Sequence, residues 1–284
     1  MTVSTTDLRV DPHLQTRVHY VGSRQARPNL PAAGCPFCPG GLEAPEAYEV
    51  RWFTNRWPAM PGDRCEVVLY TPDHDATFAS LGVDGIGRVV DLWAQRTAEL
   101  GARDDVAMVL VFENRGAEVG ATMTHPHGQI YCFDHVPARS AARLDAQWRP
   151  DPRPGERLVL DHRGWRVVVP FSDPFPIALS IAPLECRPDL PSLSSDERRA
   201  LAEVLADVFG RLDRMFDRPL PYMMWLNQRP TVEHGWGDAW FNIEIVSPWR
   251  SAGVQRFIAA AEVATGEYFN PVIPEELAAR LRSL

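Results

Sequence analysis

The chain contains no lysine: all 29 of its basic residues are arginine. That absence excludes Schiff-base chemistry, and with it pyridoxal enzymes and lysine-dependent aldolases. It also excludes a Walker-type phosphate loop, whose lysine reaches the nucleotide. Charge stabilisation is left to arginine, histidine, backbone amides or a metal. Long apolar runs are missing too, so no membrane span is expected. The segment Met1 to Val10 is polar and lacks the apolar centre of a signal sequence; a soluble cytoplasmic protein is the expectation. Positive charge is in deficit, with a net charge of −8. This argues against gripping long nucleic acids by phosphate neutralisation and leaves local arginine clusters for small anions. The cysteine count is odd, at five, which argues against a disulfide framework. Cys65, Cys132 and Cys186 lie in apolar surroundings and read as small buried side chains. The Cys35-Pro36-Phe37-Cys38 spacing by itself fits a redox pair, a buried pair or half of a metal site.

What is present suits a packed core: 284 residues, 45% of them hydrophobic, enough for one large domain or two ordinary ones. Residues 1 to about 45 read as an extended arm. Val67–Tyr70, Val106–Phe112 and Ile130–Phe133 read as strands, with a helix at Ile86, Val89, Val90 and Trp93 that ends near Gly101. The second half repeats this order. Trp165–Pro170 and Ala178–Ile181 are expected strands. Ser194 and Glu197 form a capping box, followed by the apolar stripe Leu201, Val204, Leu205, Val208 and Leu212. Strands at Tyr222–Leu226 and Ile243–Val246 complete it. Pro72 to Asn114 and Pro183 to Asn227 cover nearly equal spans, and each asparagine closes an apolar strand. The reading is a duplicated α+β unit, residues 1–150 and 151–284, in which the second copy has Trp240-Phe241-Asn242 where the first has His125-Pro126-His127. Chance likeness of two strand-helix-strand units is the competing account.

The run Thr124-His125-Pro126-His127-Gly128-Gln129 carries the chemistry. In extended chain the two histidines fall on the same side of the backbone. Pro126 restricts their motion, Gly128 permits close approach of a ligand to the backbone, and the Gln129 amide can donate to a phosphoryl oxygen. A neutral imidazole is a competent nucleophile towards phosphorus. Its other nitrogen needs an acceptor, and the main-chain carbonyl of His125 is near enough to serve. The bland alternative is a pair of structural or metal-binding histidines. Asn114, Arg115, Gly116, Gly120 and Thr122 precede the run in a glycine-containing loop suited to phosphate oxygens, although Arg115 reads equally well as a solvated cation. His13, His19, His135, His162 and His234 have no supporting context.

The run Val111-Phe112-Glu113-Asn114-Arg115-Gly116, continuing through Gly120 to His125-Pro126-His127-Gly128-Gln129-Ile130-Tyr131, resembles the galactose-1-phosphate uridylyltransferase family of the histidine triad superfamily. The resemblance extends over most of the chain. It implies histidine-triad-like units that form a half-barrel sheet flanked by helices. It implies His127 as nucleophile, Gln129 as phosphoryl stabiliser, and Asn114, Gly120 and Thr122 at phosphate-binding positions. Arg24 and Arg27 look like nucleotide-binding arginines, and Phe53-Thr54-Asn55 like a uridine-contacting segment. Cys35, Cys38, His74 and His125 look like the ligands of one structural zinc. Gly253-Val254-Gln255-Arg256-Phe257 with Glu262 resembles the sugar-phosphate stretch, which in a homodimer serves the partner's site. The reaction implied is exchange of UMP between a UDP-hexose and a hexose 1-phosphate, by analogy UDP-glucose and galactose 1-phosphate of galactose metabolism.

Departures from the family pattern are Thr124 for a proline, Arg56 for an acid, and Ala261 for a tyrosine. Asn227, Trp240 and Asn242 stand where many members have histidines for a second metal. Two rivals stay open at the level of sequence: a phosphorylase or hydrolase of the same superfamily, and a zinc hydrolase with His74, His125 and His127 on the metal.

Overall fold

Side-chain alternation decides what the central strands present to each face. In His127–Phe133 the residues Gly128, Ile130 and Cys132 are buried, while His127, Gln129 and Tyr131 remain half-buried on the other face. Val109 and Val111 on the neighbouring strand and Val68 on the next join Ile130 and Cys132 in the core. This computed structural model describes residues 7–26, 34–232 and 236–284; Arg27 and His234 lie outside the described residues.

Thirteen strands and five α-helices are assigned among those residues. A hairpin pairs β1 (Asp7–Val10) with β2 (Arg17–Tyr20). The main sheet contains β3 (Arg51–Thr54), β4 (Cys65–Leu69), β5 (Met108–Arg115), β6 (His127–Phe133), β7 (Leu158–His162), β8 (Trp165–Val168), β9 (Ile177–Pro183), β10 (Tyr222–Asn227) and β11 (Asn242–Ser247). Its order is β3-β4-β6-β5-β10-β11-β9-β8-β7, and every pairing is antiparallel. A small ribbon joins β12 (Trp249–Ser251) to β13 (Val254–Gln255). The helices are α1 (Gly82–Gly101), α2 (Ala138–Asp145), α3 (Ser195–Arg214), α4 (Ala260–Thr265) and α5 (Pro274–Arg282). The class is α+β, as expected.

The sheet is palindromic about the β5–β10 pair. One ladder row runs Phe53–Val67–Gln129–Phe112 in the first half and Val168–Ser180–Glu244–Trp225 in the second, meeting at Phe112–Trp225. α1 follows β4, and α3 follows β9, so each half is built strand, strand, helix, strand, strand. The two helices cover one face, where Phe78 lies 4.6 Å from Phe209 and is stacked on Trp93, ring centre to ring centre. The Ser194–Glu197 capping box forms, and its stripe from Leu201 to Leu212 is fully buried. The register sharpens the internal repeat. Asn114 corresponds to Asn227 and His127 to Asn242, as expected, but Pro183 matches Tyr70 rather than Pro72. The sheet is continuous past residue 150, so the two units share one core.

One expectation needs correction. Cys186 is exposed, because it lies in the turn beyond β9. Further on, β13 ends at Gln255 and α4 begins only at Ala260, leaving Phe257 and Ile258 exposed.

Candidate active site

His127 opens β6 on the face away from the helices, and its Nδ1 is 2.8 Å from the main-chain oxygen of His125. A carbonyl only accepts, so the proton belongs on Nδ1 and the lone pair on Nε2. The ring of Phe37 lies 5.2 Å from that of His127 and 6.1 Å from that of His125. Both imidazoles therefore face the same side, as the alternation argument requires. Two positions on, the side-chain oxygen of Gln129 accepts from Asn55 Nδ2 at 3.3 Å, and Asn55 Oδ1 accepts from the Trp57 amide at 2.8 Å. With its oxygen engaged, Gln129 turns its NH₂ group to other acceptors. His127 and Gln129 line a cleft of about 880 Å³ with Phe37, Asn55, Thr122 and Met123.

Gly128 is required for a reason the sequence did not suggest. A Cβ at this position would fall 2.1 Å from the Tyr70 hydroxyl, on the helix face of the sheet. The glycine makes room for Tyr70 beneath the strand rather than for a ligand above it.

Cys35, Cys38, His74 and His125 converge, with their donor atoms all within 4.8 Å of one another. Two thiols and two imidazoles are the donor set of a closed tetrahedral zinc site. His125 is fully buried, and burial lowers its pKa, holding the ring neutral as a ligand requires. Its Nε2–H donates to the Thr71 carbonyl at 2.8 Å, and its Nδ1 faces the Cys35 and Cys38 sulfurs at 3.8 and 3.6 Å. The Tyr48 hydroxyl, 3.0 Å from the same Nε2, donates to the Phe37 carbonyl and ties the cysteine loop to His125. His74 turns Nδ1 to Cys38 at 3.5 Å and Nε2 to the Thr124 hydroxyl at 3.0 Å. Thr124 thus gives His74 an outer partner that the proline usual at this position lacks. Gly41 closes the cysteine loop: a Cβ there would lie 2.6 to 2.8 Å from the carbonyls of Pro36, Cys35 and Cys38. His127 is not a member of this group, which disfavours the reading with three histidines on one metal.

Of the other expected site residues, Asn55 and Thr122 line the cleft, while Asn114, Gly120 and Arg24 do not. Asn114, one residue before the end of β5, is level with His127 by extension of the register, and Gly120 has a left-handed φ of 81°. Arg56, where the family pattern has an acid, lines the cleft and pairs with Glu43 at 3.8 Å. Arg256 and Glu262 form a buried ion pair with each other, and Phe257 is 75% exposed; none of the three lines the cleft of their own chain. Phe37, Trp57 and Met123 complete the walls and were not singled out from the sequence, since an isolated aromatic or methionine carries no motif.

Residues 60–137 match the family model described as galactose-1-phosphate uridyl transferase, N-terminal domain. The galactose-1-phosphate uridylyltransferase of Thermotoga maritima is 34% identical, with 97% of this chain and 98% of that protein aligned. The chain belongs to the galactose-1-phosphate uridylyltransferase family. The enzyme of the same name from Streptomyces lividans is 37% identical over 81% of this chain and 72% of its own length. A solved uridylyltransferase mutant superposes with a TM-score of 0.87 at 28% identity, covering 97% of this chain and 96% of its own. An ADP-glucose phosphorylase from Arabidopsis thaliana shares the fold, with a TM-score of 0.77 at 22% identity and 99% of each chain covered.

This member of the uridylyltransferase family has a second cleft, of about 360 Å³, on the same face of the sheet. Its floor is the palindromic counterpart of the first: Val168, Ser180 and Glu244 stand where Phe53, Val67 and Gln129 do. Asn242 takes the place of His127, and no histidine is among the residues that line this cleft. The guanidinium of Arg143 fills the interior, donating to Asn242 Oδ1 at 2.7 Å and Glu244 Oε1 at 3.2 Å, and lies over the Trp148 ring. Asn227 donates to the same two oxygens.

Proposed function

We propose that this protein exchanges a uridylyl group between a UDP-hexose and a hexose 1-phosphate in two steps through a nucleotidyl-histidine, by analogy with UDP-glucose and galactose 1-phosphate as substrates. The observation that carries this reading is the bond between His127 Nδ1 and the His125 carbonyl, 2.8 Å long. It orients the ring so that Nε2 attacks the α-phosphorus. A phosphorus–nitrogen bond forms, the bond to the bridging oxygen breaks, and hexose 1-phosphate leaves with the electron pair. A second hexose 1-phosphate then attacks the same phosphorus, and the bond to Nε2 breaks. The Gln129 NH₂ donates to a non-bridging oxygen, where negative charge grows in both transition states. The reverse of the first step needs no further catalytic group, which suits a chain without lysine.

Cys35, Cys38, His74 and His125 hold one zinc in this reading. Bound there, it supplies structural rigidity: it fixes His125, and through the His125 carbonyl the tautomer of His127. The substrates are small molecules, and no helix among the described residues is long and apolar enough to cross a membrane. The protein acts as a homodimer in which Arg256, Phe257 and Glu262 serve the partner's cleft. The exposure of Phe257, Val263 and Phe269, at 70 to 75%, supports a covered surface there.

Mixing the protein with UDP-glucose alone tests the reading. One equivalent of glucose 1-phosphate and a uridylyl adduct on the peptide containing His127 are expected. Turnover without an adduct, or an adduct elsewhere, overturns it. Phosphate or water accepted in place of galactose 1-phosphate would assign the phosphorylase or hydrolase reaction.

A further inference from the structure

Behind the strand that carries His127 lies a buried polar chain with no part in the steps above. Glu113, on β5, is 3% exposed and accepts a hydrogen bond from the Tyr222 hydroxyl of β10 at 2.6 Å. Its other oxygen is buried without a hydrogen-bond partner, and so is the Tyr70 hydroxyl beyond the end of β4. Burial of a polar atom without a partner is costly unless the group changes its protonation state. Tyr70 contacts the reactive run twice. Its backbone N–H donates to the Pro126 carbonyl at 3.3 Å, and its hydroxyl fills the space that a Cβ on Gly128 would need.

Extending the β5–β6 register one residue past Phe112–Gln129 puts Glu113 across from Gly128. The second half supplies an internal control. The counterparts of Tyr70, Glu113 and Gly128 are Pro183, Leu226 and Ile243, all apolar. Among the described residues, Glu113 and Tyr70 have polar character only in the half that contains His127, where Tyr222 reaches them from the other half.

We propose that Glu113 is a positioning residue for uridylyl transfer, acting through Tyr70 to set the placement of His127, Gly128 and Gln129; the proposal rests on the covalent mechanism above. The carboxyl is poised to change state. Burial pushes its pKa up from 4.5 to about 7, opposed by Tyr222, Arg115 and Tyr70. The Tyr70 hydroxyl is the group it interacts with besides Tyr222 and Arg115, so a protonated carboxyl would donate to that hydroxyl and an ionised one would accept from it. The facing groups are Tyr222 of β10, Tyr70 after β4, and Arg115 of β5, whose Nη1 lies 3.6 Å from Asp213 of α3. The indole of Trp93 on α1 packs against Tyr70 at 5.7 Å. A switch of donor and acceptor at Tyr70 shifts the floor under Gly128, and small displacements of a nucleophile alter the rate more than binding.

The experiment is the pH profile of the first half-reaction, followed as glucose 1-phosphate released from UDP-glucose by wild type, Glu113→Gln and Tyr70→Phe. Wild type is expected to show a limb with a midpoint near 7. Both variants are expected to lose that limb, with kcat lowered and KM unchanged. A wild-type profile flat through pH 7, or an unshifted limb in either folded variant, overturns the role of Glu113. If Glu113→Gln does not fold, Tyr70→Phe decides by itself. Absence of the His127 adduct in wild type would instead remove the covalent mechanism, so the two failures are distinguishable.

Discussion

His127 and Gln129 differ in what their loss should remove. In the proposed mechanism the His127 ring itself becomes bonded to phosphorus, so His127→Ala should reduce exchange by on the order of 10⁴-fold or more while leaving the fold intact. In the same mechanism Gln129 contributes only a hydrogen bond to developing charge, so Gln129→Ala should slow both half-reactions by about 10² to 10³-fold and leave measurable activity. Single-turnover kinetics on both variants, with circular dichroism as a fold control, checks the contrast; equal losses would mean that the roles are wrongly divided. The pattern of this run was legible in the sequence because it depends on nearest neighbours. Pro126, the alternation of the two histidines and the His125 carbonyl all act within three residues. The function of Gly128 was not legible, because its constraint is Tyr70, which is far away in sequence and meets it only across a strand pair. Thr124 read as a departure, and only folding reveals that its hydroxyl reaches His74.

Among the elements, those with strong periodicity or a capping box were readable: α1, α3 and the buried central strands. The β1–β2 hairpin, β3 and β7 were not. They are four or five residues long, too short for a period to stand out. The internal repeat was visible at its asparagines, which close matched strands, and was displaced at its prolines, because Pro183 ends β9 whereas Pro72 lies in the turn beyond β4. The second cleft shows what duplication leaves when the chemistry is confined to one copy. Arg143 satisfies two polar side chains, Asn242 and Glu244, whose oxygens also accept from Asn227. Removing one member of a buried charged pair strands the other. Arg143→Met should therefore lower stability by on the order of 3 kcal/mol in urea unfolding. Adding Glu244→Gln to that variant should restore much of the loss, since no charge then remains unpaired. Additive losses in the double variant would show that Arg143 and Glu244 do not act as a pair. Activity at His127, in the other cleft, should be unaffected.

At the scale of the whole molecule, one buried carboxyl, Glu113, and one half-buried one, Asp173, make stability depend on pH. Burial raises Glu113 from 4.5 to about 7 and Asp173 from 3.8 to about 6. Between the ordinary and raised values the folded chain binds more protons than the unfolded one, so stability should fall as pH rises through that window. It should level off above about pH 7, where both states are ionised. Urea midpoints measured from pH 5 to 8 should show the decline, and it should be shallower in Glu113→Gln. His125, whose pKa burial lowers, works in the opposite direction below its ordinary value, so the difference between the wild-type and Glu113→Gln curves is the test, and identical curves would place Glu113 in better solvated surroundings.

Assembly is the last property decided at this scale. The segment from Val254 to Ile273 exposes Phe257, Val263, Phe269 and Ile273 at 53 to 75%, while Arg256 and Glu262 within it are buried against each other. A segment that is internally braced by an ion pair and apolar on its outside is shaped for another surface, and none of its predicted sugar-phosphate residues lines the cleft in the same chain. If the cleft is completed in a homodimer, the defects in His127 and Arg256 belong to different subunits of one site. His127→Ala and Arg256→Ala would each be inactive alone. Unfolded together and refolded, they form mixed dimers with one intact cleft and one doubly defective cleft, so activity should return to about a quarter of wild type by the statistics of a two-fold dimer. A monomeric mass by light scattering at full activity, or no recovery in mixtures shown to contain the mixed dimer, would confine each cleft to a single chain.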